Sequence, residues 1–238
     1  MQRKNAWQPT KFILNQRGQL IASRNKSEVN PSSLLIADLT AKWYDSNIKE
    51  FAKGRLLDLG CGKAPLYGTY VEYVDSVVLA DWGNSLHENK HLDVVCDITK
   101  KLPFEDNSFD TIILSDVLEH LPNPKLLLVE LKRILRNDGN VLINVPFMYW
   151  IHEAPYDYHR YTEFMLRKLV KDEGMDVVKL EALGGGYAVL IDLVAKLLKG
   201  KKAIFVQTIL RKIFSKKINA RTEFPISYAL VCKKSKEE

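Results

Sequence analysis

A short apolar segment that stops at a glycine turn constrains the fold of this chain more than any other feature. The segment Leu56-Leu57-Asp58-Leu59 ends at Gly60-Cys61-Gly62. An apolar run of this length followed by glycines is typical of a buried parallel strand that passes into a crossover helix. Glycines lack Cβ and allow positive φ, so the backbone of such a turn can approach a ligand closely. The sequence therefore predicts a strand, a turn and a helix, with room for a ligand at the turn.

An acidic residue at the end of the next apolar run indicates the kind of ligand. Val77-Val78-Leu79-Ala80 is followed by Asp81. In a nucleotide-binding βαβ unit, the carboxylate that binds the ribose hydroxyls stands about 20 residues after the glycine turn. A dinucleotide fold has a third glycine where this chain has Pro65, which argues against a nicotinamide cofactor.

The turn as a whole resembles a known motif. The form Asp58-x-Gly60-x-Gly62-x-Ala64 is similar to motif I of the class I S-adenosylmethionine-dependent methyltransferases, with Cys61 inside the same turn. The resemblance implies S-adenosylmethionine as the cofactor. It also implies an α/β, Rossmann-like fold with a seven-stranded, mostly parallel sheet, helices on both faces and a helical insertion before the last strand.

Later segments resemble further motifs of this family, in the same order. Asp81 matches the acid that holds the ribose, and Trp82 follows where an apolar side chain lies against the adenine. Asp97 and Ile98 match the segment whose acid meets the adenine amino group. Ser115 ends the fourth strand. The resemblance implies that these residues and the glycine turn meet in one crevice, at the carboxyl ends of the strands.

Strands and helices alternate along the chain, as in a parallel sheet covered on both faces. We expect strands near residues 55–59, 76–80, 93–96, 110–115, 140–146, 175–183 and 225–232, and helices near residues 32–51, 65–72, 124–136 and 163–173. We divide the chain into an N-terminal arm (1–30), a cofactor-binding core (31–186), a basic helical insertion (187–221) and a last strand with a polar tail (222–238).

A polar, aromatic segment after the fifth strand, residues 147–162, is the candidate acceptor site. It resembles a methyltransferase subgroup associated with bacterial surface-glycan and lipid-linked sugar pathways. His152 is the candidate base, since a histidine titrates near neutral pH, and Asp157 could orient it or take its place. Arg160 suits an anionic acceptor through a bidentate contact.

Further residues of the acceptor site are Tyr156 and Tyr161, which could form the walls of a pocket, and His120, which could line it or cap a helix. The alternative is structural: the histidine and Arg160 satisfy backbone carbonyls, and Asp157 pairs with Arg160 to fix the loop. No metal is expected, because the spacing of the histidines and Glu153 matches no familiar ligand pattern.

The positive charge of the chain is concentrated in the insertion. The net charge is +6, but residues 187–221 contain nine Lys or Arg and one acid, so the rest of the chain is slightly acidic. Two short apolar helices, near 187–198 and 203–214, flank lysines. This pattern predicts contact of residues 187–217 with an anionic membrane surface, and the alternatives are a lid on the core or a dimer interface.

Composition points to a protein of the cytoplasm. The three cysteines form neither a disulfide framework nor a metal-ligand pattern, and no apolar run is long enough for a signal peptide or a membrane span. We therefore expect a cytoplasmic protein with peripheral contact at the inner face of the membrane.

The sequence favours methyl transfer to oxygen of a small molecule, such as a glycan or a lipid-linked sugar precursor. A nucleic-acid methyltransferase is an alternative because the chain is basic, but Ser115-Asp116-Val117-Leu118 differs from the run that holds a flipped base. A cofactor-binding scaffold without turnover is a second alternative.

Overall fold

The N-terminal arm forms a small hairpin that packs on the first long helix. In this computed structural model, which describes residues 7–83, 90–198 and 200–235, strand β1 (Phe12–Leu14) pairs antiparallel with β2 (Leu20–Ala22). A 3-10 turn, Pro31–Ser33, leads into helix α1 (Leu34–Phe51). Both strands contribute side chains to the apolar cluster that α1 joins. The hairpin is not predicted from the sequence, since strands of three residues are too short to show alternation.

Seven strands form the central sheet. They are β3 (Arg55–Leu59), β4 (Ser76–Asp81), β5 (Val94–Val95), β6 (Phe109–Ser115), β7 (Leu135–Pro146), β8 (Met175–Leu183) and β9 (Ser227–Lys234). Their order across the sheet is β5-β4-β3-β6-β7-β9-β8, and β9 is antiparallel to both of its neighbours while the other pairs are parallel. The predicted Rossmann-like, mostly parallel sheet is confirmed.

Helices cover both faces of the sheet. These are α1 together with α2 (Tyr67–Tyr70), α3 (Pro124–Ile134) and α4 (Glu163–Asp172). One buried cluster joins α3 and α4 to the sheet, and a second joins α1 and α2 to it. Helix α3 buries Leu127, Leu131 and Ile134, a spacing that places them on one side of the helix.

Two elements differ from the predicted bounds. Helix α2 has four residues rather than about eight, because Ala64 has a φ of 50° and the chain turns there before it becomes helical. Strand β7 begins at Leu135, five residues before the predicted start at 140. The first part of β7 is irregular, since Leu135 pairs with Phe109 whereas Asn140 pairs with Thr111. Because of this shift in register, residues 135–139 do not show the alternating pattern by which a strand is predicted.

The insertion between β8 and β9 is a pair of helices, α5 (Gly186–Leu198) and α6 (Gly200–Ile213). Ala188 and Ile191 of α5 pack against Leu35 of α1. The Gln207 amide of α6 donates to the carbonyl of Ser32 at 3.4 Å. The insertion therefore lies on the end of the molecule where α1 begins. Within the ranges described, no helix combines the length and apolarity that a membrane span requires.

Candidate active site

Pairing of the strands brings the predicted cofactor residues to one edge of the sheet. Leu59 lies opposite Ala80, Asp81 opposite Val95, and Ser115 opposite Asn144. These residues end, or nearly end, parallel strands, so the turns that follow them share an edge.

The glycine turn adopts a conformation that its sequence requires. Gly60 has a φ of 72° and Gly62 a φ of 50°. A Cβ on Gly60 would lie 2.7 Å from Cγ2 of Val117. Asp81 fixes the turn to the end of β4, because its two oxygens accept hydrogen bonds from the main-chain N–H groups of Gly62 (2.8 Å) and Trp82 (2.7 Å).

Asp58 lies beneath the turn and holds it to α2. The Tyr70 hydroxyl donates to Oδ2 of Asp58 at 2.8 Å, and both side chains are buried. Burial, opposed in part by this hydrogen bond, raises the pKa of Asp58 to about 7. Cys61 is also buried. Both residues therefore support the turn from within.

The segment after β5 holds the Asp97 carboxylate in a local turn. The Asp97 carboxylate accepts from the hydroxyl and the main-chain N–H of Thr99, at 2.6 and 3.0 Å, and pairs with Lys100 at 3.0 Å. These contacts lower the pKa of Asp97. Ile98 packs on the apolar core. The carboxylate is thus used to shape its own turn in this structure, while Ser115 stays partly accessible at the end of β6.

The acceptor segment, residues 147–162, is fixed internally by Arg160. All five N–H groups of this guanidinium are used: Nε donates to the Tyr149 carbonyl (3.3 Å), and the two terminal nitrogens donate to both oxygens of Asp157 (2.6 and 2.7 Å) and to the carbonyls of His159 (2.8 Å) and Trp150 (2.9 Å). The structure therefore favours the structural alternative for Arg160 over the binding of an anionic acceptor, since no donor remains for it.

A buried carboxyl group and two histidines meet below this segment. Glu119 is fully buried, and its Oε1 lies 3.6 Å from Nε2 of His152 and 3.8 Å from Nε2 of His120. Within the described part of the chain, neither Glu119 oxygen has a hydrogen-bond partner. Asp157 lies on the other side of His152, with Oδ2 3.3 Å from Nδ1 and accepting the His152 main-chain N–H at 2.9 Å.

The charges of this cluster depend on one another. Burial raises the pKa of Glu119, although the facing His152 opposes this. Burial lowers the pKa of His152, but Glu119 and Asp157 outweigh it, so the net shift is upward. The Arg160 ion pair holds the pKa of Asp157 far below its usual range. Asp157 is therefore a fixed negative charge and a poor base.

The two tyrosines of the acceptor segment have different positions. Tyr156 is exposed, and its ring meets that of Trp82 edge to face at 5.5 Å, so the cofactor edge and the acceptor segment adjoin there. Tyr161 instead lies in the core and donates its hydroxyl to the Leu118 carbonyl at 2.9 Å. The expectation that Tyr161 forms a pocket wall is not supported by this placement.

A polar chain at the ends of β6 and β7 was not predicted. Lys11, from the arm, pairs with Asp116 at 3.0 Å. Asp116 also accepts from the Asn144 amide at 2.5 Å, and Asn144 accepts from the Tyr44 hydroxyl at 2.7 Å. Asp116 directly follows β6, and its place in the motif after the fourth strand is a signal that it lies at the site. Its pairing with Lys11 has no such signal, because the two residues are 105 positions apart.

Comparison with known families decides the identity of the domain. Residues 57–143, from β3 to β7, match the methyltransferase domain family. Residues 57–143 of this chain are therefore a methyltransferase domain. This family uses S-adenosylmethionine as its cofactor, which agrees with the glycine turn and Asp81 described above.

Two curated relatives each match less than half of this chain. An uncharacterized protein of Methanocaldococcus jannaschii is 27% identical over 118 residues, 44% of this chain and 56% of that protein. The phosphoethanolamine N-methyltransferase 2 of Caenorhabditis elegans is 34% identical over 120 residues, 43% of this chain and 28% of that enzyme. The matched region thus spans about half or less of these relatives.

Solved structures agree on the fold. An S-adenosylmethionine-dependent methyltransferase from Archaeoglobus fulgidus superposes with a TM-score of 0.54 over 81% of this chain and 94% of its own, at 17% identity. At such an identity the likeness concerns the fold.

Proposed function

We propose that the protein transfers the methyl group of S-adenosylmethionine to an oxygen of a small-molecule acceptor, in particular a glycan or a lipid-linked sugar precursor. In this reaction the acceptor oxygen forms a bond to the methyl carbon as the carbon–sulfur bond breaks. The bonding electrons pass to sulfur, which gives S-adenosylhomocysteine, and the hydroxyl proton must leave. The protein therefore has to align the acceptor and provide for the proton.

The observation that carries this proposal is the cluster of Glu119, His120 and His152 next to the cofactor edge. Methyl transfer to a hydroxyl needs a group that stabilises or removes the proton, and imidazole is suited to this near neutral pH. We assign His152 as the candidate base, with Asp157 and Glu119 as the groups that orient its ring.

Exposed aromatic rings favour a carbohydrate-like acceptor. Trp150, Tyr156 and Tyr158 of the acceptor segment are 46%, 45% and 47% exposed. Aromatic side chains offer both an apolar face and a polar tip, and sugar rings present the same mixture. The relative from Caenorhabditis elegans is by its name specific for the nitrogen of phosphoethanolamine, so nitrogen acceptors belong in the same screen.

A lipid-linked acceptor would agree with the surface of the insertion. Helix α5 exposes Leu190, Leu193 and Leu197, and α6 exposes Phe205, Ile209 and Ile213. Each set recurs at helical spacing, and lysines stand beside them, notably Lys201, Lys202, Lys212, Lys216 and Lys217. We propose that this surface contacts an anionic membrane.

The substitution His152→Gln tests the assigned base. We expect it to lower methyl transfer to lipid-linked sugar acceptors by at least about 10²-fold, the usual contribution of a general base, while the affinity for S-adenosylmethionine is unchanged. His91→Gln, outside the cluster, is the matched control. Equal rates in the two variants, measured with a radiolabelled methyl group, would refute the role of His152.

The alternatives make different predictions in the same assay. A nucleic-acid methyltransferase would label RNA or DNA, and a scaffold subunit would bind the cofactor and label none of the acceptors.

A further inference from the structure

Three donor atoms from two separate parts of the chain face one another at the acceptor end of the crevice. One donor atom from each of Glu119, His120 and His152 lies within 4.8 Å of the other two, and Oε1 of Glu119 is 3.6 Å from Nε2 of His152 and 3.8 Å from Nε2 of His120. The Glu119 side chain is fully buried, and its oxygens lack hydrogen-bond partners among residues 7–83, 90–198 and 200–235. A buried carboxylate without a partner is costly, so a positive charge between these atoms would stabilise it.

The other nitrogen of each histidine is already directed elsewhere. Nδ1 of His120 lies 2.8 Å from the Tyr156 carbonyl. A carbonyl can only accept, so this nitrogen carries a proton and Nε2 is the nitrogen that is left to bind a cation. Nδ1 of His152 faces Oδ2 of Asp157 at 3.3 Å. For His120 this is the arrangement of protein metal sites, in which a carbonyl holds the outer nitrogen of a metal-ligating histidine, whereas Nδ1 of His152 makes no hydrogen bond within the described residues.

We infer that Glu119, His120 and His152 form a binding site for a divalent first-row transition-metal cation. Two imidazoles and one carboxylate are a donor set that such cations favour. Bonds of about 2.1 Å to a shared ion hold adjacent donors about 3.0–3.4 Å apart. The separations of 3.6 and 3.8 Å from Glu119 to the histidines differ from that by a few tenths of an ångström, which small side-chain rotations supply.

A further oxygen and open positions complete the site. Oε2 of Glu153 lies 3.8 Å from Nε2 of His120, so this partly exposed side chain is placed to add a donor. Three protein ligands leave coordination positions for the acceptor, as in other catalytic metal sites. The spacing of the histidines and Glu153 along the acceptor segment matches no familiar ligand pattern, but the fold brings Glu119 and His120 from the segment after β6 to His152.

The role of the cation rests on the proposed methyl transfer. A cation held by Glu119, His120 and His152 would lower the pKa of an acceptor hydroxyl bound to it. The proton would then pass to solvent, and the acceptor oxygen would form its bond to the methyl carbon as the carbon–sulfur bond breaks. The lone pair on Nε2 of His152 cannot bind the cation and accept a proton at once. If His152 binds the cation, a chelator lowers the rate of methyl transfer; if His152 is the base, a chelator leaves the rate unchanged.

Titration of the chelator-treated protein with Mn²⁺, followed by electron paramagnetic resonance, tests the site. The free Mn²⁺ signal measures binding, and nitrogen couplings in the pulsed spectrum report imidazole ligands. We expect one bound ion with nitrogen couplings. Glu119→Gln and His152→Gln should weaken binding at least about tenfold, as loss of even an outer-shell partner does, while His91→Gln binds as the wild type does.

Weak binding without nitrogen couplings, or equal binding by all four proteins, would overturn the metal site. Glu119→Gln preserves the shape of a buried side chain. If this variant folds poorly, His152→Gln remains informative, because His152 is only partly buried. Because Mn²⁺ binding is measured without S-adenosylmethionine or acceptor, its failure is distinct from failure of the proposed methyl transfer. Full activity in the presence of a chelator would exclude the cation from catalysis, and the role of His152 as a base would stand.

Discussion

A carboxyl group that titrates near neutral pH lies under the cofactor turn. Asp58 has a pKa of about 7 in the folded protein, against about 3.9 in an unfolded chain. Between these values the folded protein holds a proton that the unfolded chain has lost. The free energy of unfolding therefore receives a contribution that decreases as the pH rises through this window, and that stays constant above it.

The substitution Asp58→Asn should remove this dependence, because the amide oxygen can still accept from Tyr70 and does not ionise. Relative to the wild type, the free energy of unfolding of the variant should increase by about 1.4 kcal/mol for each pH unit between 5 and 6.5. Urea unfolding at the two pH values measures it. A difference that does not change with pH would show that Asp58 is ionised in the fold.

At the level of elements, long and regular segments are predicted well and irregular ones are not. Strand β8 has the predicted bounds, because apolar residues and a following glycine run define it. The hairpin of β1 and β2, the shortened α2 and the early start of β7 are missed. Each depends on tertiary contacts or on a local positive φ, as at Ala64, which residue patterns do not encode.

The site follows the same rule. Gly60, Gly62 and Asp81 are chosen from local spacing, and the structure brings the glycine turn and Asp81 together through the hydrogen bond from the Gly62 N–H to Asp81. The contact of Glu119 with His152 joins a turn after β6 to a loop after β7, and nothing in the sequence indicates it. For Arg160 the sequence leaves two roles open, binding an anionic acceptor or fixing the loop. Only the structure shows that all five of its N–H donors are used within the loop.

The insertion gives a prediction at this scale. Leu193 and Leu197 are 53% and 74% exposed on one side of α5, so replacing both by glutamate should abolish flotation with anionic vesicles by removing apolar contact and adding repulsion. The double variant Leu126→Glu, Val129→Glu is a matched control on α3, where those residues are 51% and 45% exposed. Equal flotation of both variants would contradict membrane contact through α5.

Across the whole molecule, the sheet, the acceptor segment and the insertion meet at one end. The turn with Gly60 and Asp81 defines the cofactor edge, and Tyr156 touches Trp82 where the acceptor segment begins to cover it. Lys196 of α5 lies 3.7 Å from the centre of the Tyr149 ring, and it forms a buried ion pair with Asp192. The insertion is thereby packed on the acceptor segment. A surface that binds lipid would place that segment near a lipid-linked substrate.

The binding of the cofactor product tests the central claim most directly. Calorimetric titration with S-adenosylhomocysteine should show micromolar binding to the wild type and a large loss for Gly60→Ala, whose added Cβ would lie 2.7 Å from Val117 at a φ of 72°. Gly18→Ala is the control, since Gly18 has a φ of 70° and nothing within 4 Å of an added Cβ. It carries the same backbone strain in the turn between β1 and β2 and should bind like the wild type. Absence of binding to the wild type, or equal binding by both variants, would contradict the placement of the cofactor at this turn.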